Sequence, residues 1–194
     1  MSLIKTLSAL RRLRAKKTWY DRGVAATEFA LTLPIWITMM LGAGDGTYYM
    51  LVNEKTDRIA YTVTDIVTQY QVISIANLDD ILKAAKQLMD PFPFDNNGIV
   101  IVTSVYKPAG QSPVIKWQYA GGGTLTQTSK IGTTGSTPTL PNGLTMNDND
   151  NVIISEVFYN FEPLFVSQSM FSDKLLYRVA VYKPRLSPLI NTPT

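Results

Sequence analysis

Glu28 is the residue of this chain whose position asks for chemistry. It stands five residues after Gly23, at the head of a run from Phe29 to Gly44 that carries no charged side chain. A carboxylate at the mouth of an apolar helix is costly to carry into lipid or into a bundle of helices unless a cation meets it. Two cations are near in sequence. One is Arg22; the other is an ammonium group on Val24, which exists only if the bond after Gly23 is cut. In the second case a helix from one subunit can offer its acid to the terminus of a neighbour.

Elsewhere the chemical inventory is thin. The chain has no histidine and no cysteine, which removes imidazole acid–base work, Ser-His and Cys-His nucleophile pairs, most zinc sites and every disulfide. Acid pairs exist at Asp79/Asp80 and Glu156/Glu162, but the first suits the start of a helix and the second is split by an apolar strand. There is no Gly-rich phosphate loop and no nucleophile elbow. Asn147 to Asn151 offers oxygen ligands in a row without the glycine and the bidentate glutamate of a calcium loop, so it reads as a polar turn. The expectation is a protein that is not an enzyme and needs no cofactor or metal.

The element that must hold Glu28 is a membrane-spanning helix. From Val24 to Gly44 a helix rises about 31 Å, the thickness of a bilayer's hydrocarbon. Residues 1–23 carry seven basic side chains, Lys5, Arg11, Arg12, Arg14, Lys16, Lys17 and Arg22, against the one acid Asp21; the other 171 residues hold eleven basic and fourteen acidic ones. The pI near 9 thus comes from the leader, and the body is mildly acidic, which argues against nucleic-acid binding. Arg11, Arg12, Arg14, Lys16, Lys17 and Arg22 set the orientation, since short basic flanks stay cytoplasmic. Leu3, Ile4, Leu7, Leu10 and Leu13 give the leader an amphipathic helix that can lie on an anionic leaflet. Pro34 removes one intrahelical bond and crowds the Ala30 carbonyl, which loosens the span there, and Thr32 and Thr38 are placed to satisfy freed groups. Asp45 marks the outer end as a solvated acid.

Beyond the span, Ile59, Ala60, Val63, Ile66, Val67 and Tyr70 recur at threes and fours and predict an amphipathic helix over Thr47 to Gln71. A second helix opens at Asn77-Leu78-Asp79-Asp80, buries Leu78, Ile81, Leu82, Ala85, Leu88 and Met89, and stops at Pro91 and Pro93. The period then becomes two, and Ile99 to Tyr106, Val114 to Tyr119, Val152 to Phe161 and Leu175 to Lys183 read as strands. Gly121 to Asp150 reads as a long flexible loop. The predicted fold is α+β: a basic leader over 1–23, a transmembrane helix over 24–46 that extends into an amphipathic helix, and a head over 47–194 with a small helix, an antiparallel sheet and the 121–150 loop.

Gly23-Val24-Ala25-Ala26-Thr27-Glu28-Phe29, behind a basic leader and ahead of an apolar run, resembles the prepilin-peptidase site of type IV prepilin-like proteins. The wording GVAATEFALTLP is most similar to the TadE/TadG-like family of Flp (Tad) pilus assembly proteins. Val157 to Phe165 and Leu175 to Arg185 are similar to that family's closing strands. The resemblance implies processing between Gly23 and Val24, with Glu28 and Phe29 at the assembly position. It implies a minor pilin or pseudopilin in the bacterial inner membrane with a periplasmic head. The implied partners are the major Flp pilin, other TadE/TadF/TadG-like subunits and a prepilin peptidase. Two other readings stay open. Phe29 to Met40 also serves as the core of a cleavable secretory signal with a site at Leu41-Gly42-Ala43, and an uncut anchor would carry a periplasmic binding or adhesion module outside any pilus.

Overall fold

The computed structural model describes residues 2–165, 174–189 and 191–194, with side chains from Gly23 onward other than that of Asn142. The chain divides into two units, Met1–Gly46 and Thr47–Thr194.

In the first unit the backbone is helical from Ser2, the start of α1 (Ser2–Val67). The side chains of Lys5, Arg11, Arg12, Arg14, Lys16, Lys17 and Arg22 lie outside the described residues. From Gly23 to Ala43 every residue is exposed, and this stretch is long and apolar enough to cross a membrane. The helix runs on through Pro34. Thr38 donates to the carbonyls of Pro34 and Ile35 at 3.0 and 2.9 Å, and Thr32 to that of Phe29 at 3.2 Å. Both hydroxyls thus cap carbonyls of the turns around Pro34; a threonine hydroxyl in a helix reaches back three or four residues, and neither has Ala30 at that distance.

The second unit is an α+β head. The continuing part of α1 turns Val52, Thr56, Ile59, Ala60, Val63, Thr64 and Val67 inward, the one-sided stripe that its threes and fours predict. Thr56 and Thr64, fully buried, hide their hydroxyls by donating to Val52 and Ala60 one turn back, at 2.7 Å each. α2 (Ile75–Gln87) buries Leu78, Ile81, Leu82 and Ala85. Its cap is Ser74 rather than Asn77: Ser74 Oγ accepts from the Asn77 N–H, and the Asn77 side chain accepts from the Ser74 N–H. Asn77 stands where a capping box holds Glu or Gln, and its shorter amide does the same work. The other end of α2 is closed by Lys55 of α1, whose ammonium donates to the carbonyls of Leu88 at 3.0 Å and Asp90 at 2.7 Å, where a helix presents its negative end. A one-turn α3 (Phe94–Asn97) leads into the sheet.

β1 (Gly98–Tyr106), β2 (Val114–Gly121), β3 (Asn151–Phe161) and β4 (Lys174–Tyr182) form one antiparallel sheet in the order β2-β1-β3-β4. The expected strands are all present, each within a residue or two of its expected bounds. One face packs on α1 and α2 through Val100, Val102, Trp117, Ile153, Val157, Tyr159 and Phe161. The other face has a smaller core of Val105, Ile115, Val152 and Ile154, covered by Ile131 and Met146 from the 121–150 segment. Ile115 and Trp117, two residues apart on one strand, belong to opposite faces. A bulge explains this: Ser104 pairs Trp117 while Val105 pairs Ile115, which leaves Lys116 as the extra residue and reverses the alternation.

After β4 the chain folds back. The Arg185 N–H donates to Thr68 O at 3.0 Å, the Ser187 hydroxyl to Gln71 O at 2.7 Å, and the Ile75 N–H to Thr194 O at 3.2 Å. Leu189, buried, is held at one point: its carbonyl accepts from Ser104 Oγ (2.6 Å) and Trp117 Nε1 (2.9 Å), and its N–H donates to Asn151 Oδ1 (2.9 Å). Asn151, itself buried, completes the ring by donating to Ser104 Oγ and to the Val105 carbonyl.

Candidate functional site

Gly23, Val24, Glu28 and Phe29 all lie on the exposed stretch of α1, with Val24 40% and Phe29 63% exposed. Residues four apart on a helix are neighbours, and helical side chains lean toward the amino end. Glu28 therefore leans over the turn that holds Val24, whereas Arg22, six residues back, falls on another side of the helix. The side chain of Arg22 is outside the described residues; among the described residues Glu28 has no ion-pair partner. Thr27, between them, turns its hydroxyl onto the Val24 carbonyl at 2.7 Å.

Gly23 is not there for packing. A Cβ built on it would meet nothing within 4 Å, and its φ is not in the left-handed region. A helical glycine in open surroundings costs about 1 kcal/mol relative to alanine, so neither the backbone nor a neighbour among the described residues accounts for it. Gly42 and Gly46, four residues apart and so on one face, are open in the same way.

Asp45 corrects an expectation. It is 9% exposed, not solvated. The reason is its helical phase: it lies three and four residues before Tyr48 and Tyr49, which begin the inward stripe of α1.

The head separates the acid pairs. Asp79 accepts from the Tyr119 hydroxyl, while Asp80 is on the surface beside Lys83 at 3.8 Å. Glu162 is exposed beyond the end of β3, and Glu156 is fully buried in the middle of it. The Glu156 carboxylate accepts from Ser129 Oγ, from the Lys130 N–H at 2.8 Å and from the Tyr177 hydroxyl at 3.0 Å. Lys130 Nζ lies 3.9 Å over the Tyr177 ring, a cation–π contact. Burial, and then the neighbouring carboxylate, push the Tyr177 hydroxyl well above the usual phenol range. Each of these donors is held by Glu156, so the cluster ties the 121–150 segment to the sheet. It had a sequence signal, an acid inside VIISEVFYNF, of the same kind that singles out Glu28.

In the 147–151 turn each acid already has a lysine. Asp148 meets Lys107 at 3.0 Å and the Gly110 N–H, and Asp150 meets Lys183 at 2.8 Å and the Asn147 N–H. These donors hold both carboxyls below their ordinary range. No group of three or more metal-ligating side chains comes together among the described residues. A shallow depression of about 190 Å³ beside Asp150, Lys183 and Arg185 has its cations engaged, Lys183 with Asp150 and Arg185 with Asp65.

Fold and site together define a class: an α+β head carried on one long apolar helix that presents an acid one turn from a Gly-Val bond. No family model, curated protein or solved structure matches the chain.

Proposed function

We propose that this chain is a minor pilin or pseudopilin of a Flp (Tad) type IV pilus, anchored in the bacterial inner membrane, cut after Gly23 and assembled through Glu28. The observation that carries the reading is the placement of Val24 and Glu28 one turn apart on a wholly exposed apolar helix, behind a glycine that packing does not require. Cutting after Gly23 puts an ammonium group on Val24, at the positive end of a helix, where a carboxylate is favoured. Between apolar helices the attraction is felt far more strongly than in water, so a bare acid on one subunit is drawn to the new terminus of another. Phe29, exposed beside Glu28, supplies apolar contact to the same neighbour, and the open face at Gly42 and Gly46 lets helices approach closely.

On this reading the basic leader is the cytoplasmic part that the peptidase removes, and the head faces the periplasm. The partners are the prepilin peptidase, the major Flp pilin and other TadE/TadF/TadG-like subunits. Amino-terminal sequencing of the membrane form tests the proposal. Val24 as first residue supports it; Gly44 would point to a secretory signal, and Met1 to an uncut anchor carrying a binding module.

A further inference from the structure

We propose that the base of the head is itself seated in the outer lipid interface, with Met50, Leu51, Leu164 and Phe165 entering the headgroup and upper acyl region of the bilayer. The inference rests on the reading of α1 as a membrane anchor.

The first argument is length. While the chain is unassembled and Glu28 stays in the inner polar layer, hydrocarbon begins at Phe29, and about 30 Å of it takes about 20 residues of helix. That count ends at Tyr48, not at Gly44. From Phe29 to Asn53 the only charged residue is Asp45, and at 9% exposure it is withdrawn from the surface. Nothing on the outside of α1 therefore opposes lipid before Glu54. Tyr48 and Tyr49 fall at the depth where interfacial aromatics are found, and Met50 and Leu51 follow directly, 73% and 45% exposed.

The second argument comes from the other end of the sequence. β3 runs toward the end of the head at which α1 enters it: the Phe161 ring lies 5.3 Å from that of Tyr48 and 5.2 Å from that of Tyr49. Leu164 and Phe165 follow three and four residues later, within about 14 Å of chain from that level, and are 62% and 56% exposed. Lys174, paired with Phe161 across the sheet, holds its ammonium 4.8 Å over the Tyr49 ring. Apolar side chains from two separate segments, with a cation beside them at one level, match what an interfacial lipid layer accepts: acyl contact for the first and phosphate for the second.

The absence of cysteine from the chain makes the test direct. Single substitutions Met50→Cys, Leu164→Cys and Phe165→Cys, with Ile35→Cys in the span and Val72→Cys at an exposed site of the head as references, are nitroxide-labelled in the full chain. The chains are reconstituted in phosphatidylethanolamine–phosphatidylglycerol vesicles. Collision with oxygen, which concentrates in lipid, is compared with collision with a water-soluble nickel chelate. The expected result is a shift of labels 50, 164 and 165 toward oxygen relative to label 72. Labels 164 and 165 matching label 72 while label 35 is lipid-embedded would overturn this inference alone. Label 35 open to nickel would overturn the anchor reading with it. Labels 164 and 165 shielded from both reagents would mean that protein, including a second copy, covers the base, and would overturn it too.

Discussion

The hydroxyl of Tyr177 on β4 donates to Glu156 Oε1 on β3 at 3.0 Å, and this bond closes a buried cluster that also holds Ser129 and Lys130. Phe158, the register partner of Tyr177 across β3 and β4, packs its ring on that of Tyr177 at 5.0 Å, so the geometry is set by packing as well as polarity. Tyr177→Phe keeps the packing and loses one bond, at a cost of about 1–2 kcal/mol. Glu156→Ala leaves three donors without their acceptor and costs about 3 kcal/mol or more. Chemical denaturation of the full chain in detergent, followed through Trp117, measures both. Equal stability of Glu156→Ala and the parent would remove the cluster from the account of how the 121–150 segment is held.

The same cluster gives an alkaline signature. The Tyr177 hydroxyl is raised by burial and by Glu156, and that of Tyr159 is pushed up to about 12, mainly by burial. A raised hydroxyl means that the folded chain keeps a proton the unfolded chain has released, so this stability is complete below pH about 10 and is lost above it. Stability, followed through the thermal midpoint, is expected to hold from about pH 8 to about pH 10 and to fall above that, with a limiting slope in free energy of about 1.4 kcal/mol per pH unit for each such tyrosine. Tyr177→Phe flattens the fall. A decline as steep as the parent's would show that Tyr177 titrates like an exposed phenol.

Ser155, fully buried on the helix side of β3 between Val102 and Ala180 in register, has a hydroxyl with no hydrogen-bond partner among the described residues. An unmatched buried hydroxyl is destabilising, and removing it relieves the penalty without leaving a large cavity. Ser155→Ala is expected to raise stability by about 1 kcal/mol, seen as a higher melting temperature. Ser155→Val adds volume to a packed site and is expected to lose that gain.

How far these features could be seen in advance depends on how local their causes are. The strands at 98–106 and 151–161 were legible because each has a face buried by period-two apolar residues. The stripe of α1 was legible because Ile59, Ala60, Val63 and Val67 keep one phase. What a single segment does not encode was missed. Lys116 looks like any outward residue of β2, and only its pairing with β1 makes it a bulge. The sequence points to Asn77 as the cap because the pair Asp79-Asp80 resembles a first turn, whereas the cap is set by which hydroxyl reaches an N–H, and that is Ser74's. Asp45 was read by its charge and placed by its helical phase. On the apolar stretch of α1 the reverse holds: Glu28 and Gly23 stand out in sequence alone, since charge and missing side chain are local properties.

Leu189 ties the returning tail to the far end of the sheet through Asn151, Ser104 and Trp117. Asn151→Ala removes an acceptor for the Leu189 N–H and donors to Ser104 and Val105, all in buried surroundings, for an expected loss of about 2–3 kcal/mol. The loss is local in kind. Amides of residues 185–189 are expected to exchange faster than in the parent while those of β1 and β3 keep their order of protection. Uniform acceleration across the sheet would mean that the tail is an integral part of the cooperative core.

On the proposed function Glu28 and Gly23 act at different steps, so their variants should fail differently. Gly23→Leu fits the structure, since nothing stands within 4 Å of the added Cβ, and alters only the bond to be cut; a heavier membrane-bound species is expected. Glu28→Ala leaves the apolar run longer and less costly to insert, so membrane insertion is retained. It removes the charge that, on the proposed function, draws a subunit to a neighbour's Val24 terminus, so recovery with pilus subunits after solubilisation is expected to drop. Glu28→Gln keeps the shape and hydrogen-bonding reach, and a drop of similar size there would assign the effect to charge and not to packing. Full recovery of both variants would exclude Glu28 from assembly, and an unchanged mass for Gly23→Leu would exclude cleavage after that glycine. Because the two outcomes are read on separate gels of the same membranes, one can fail while the other stands.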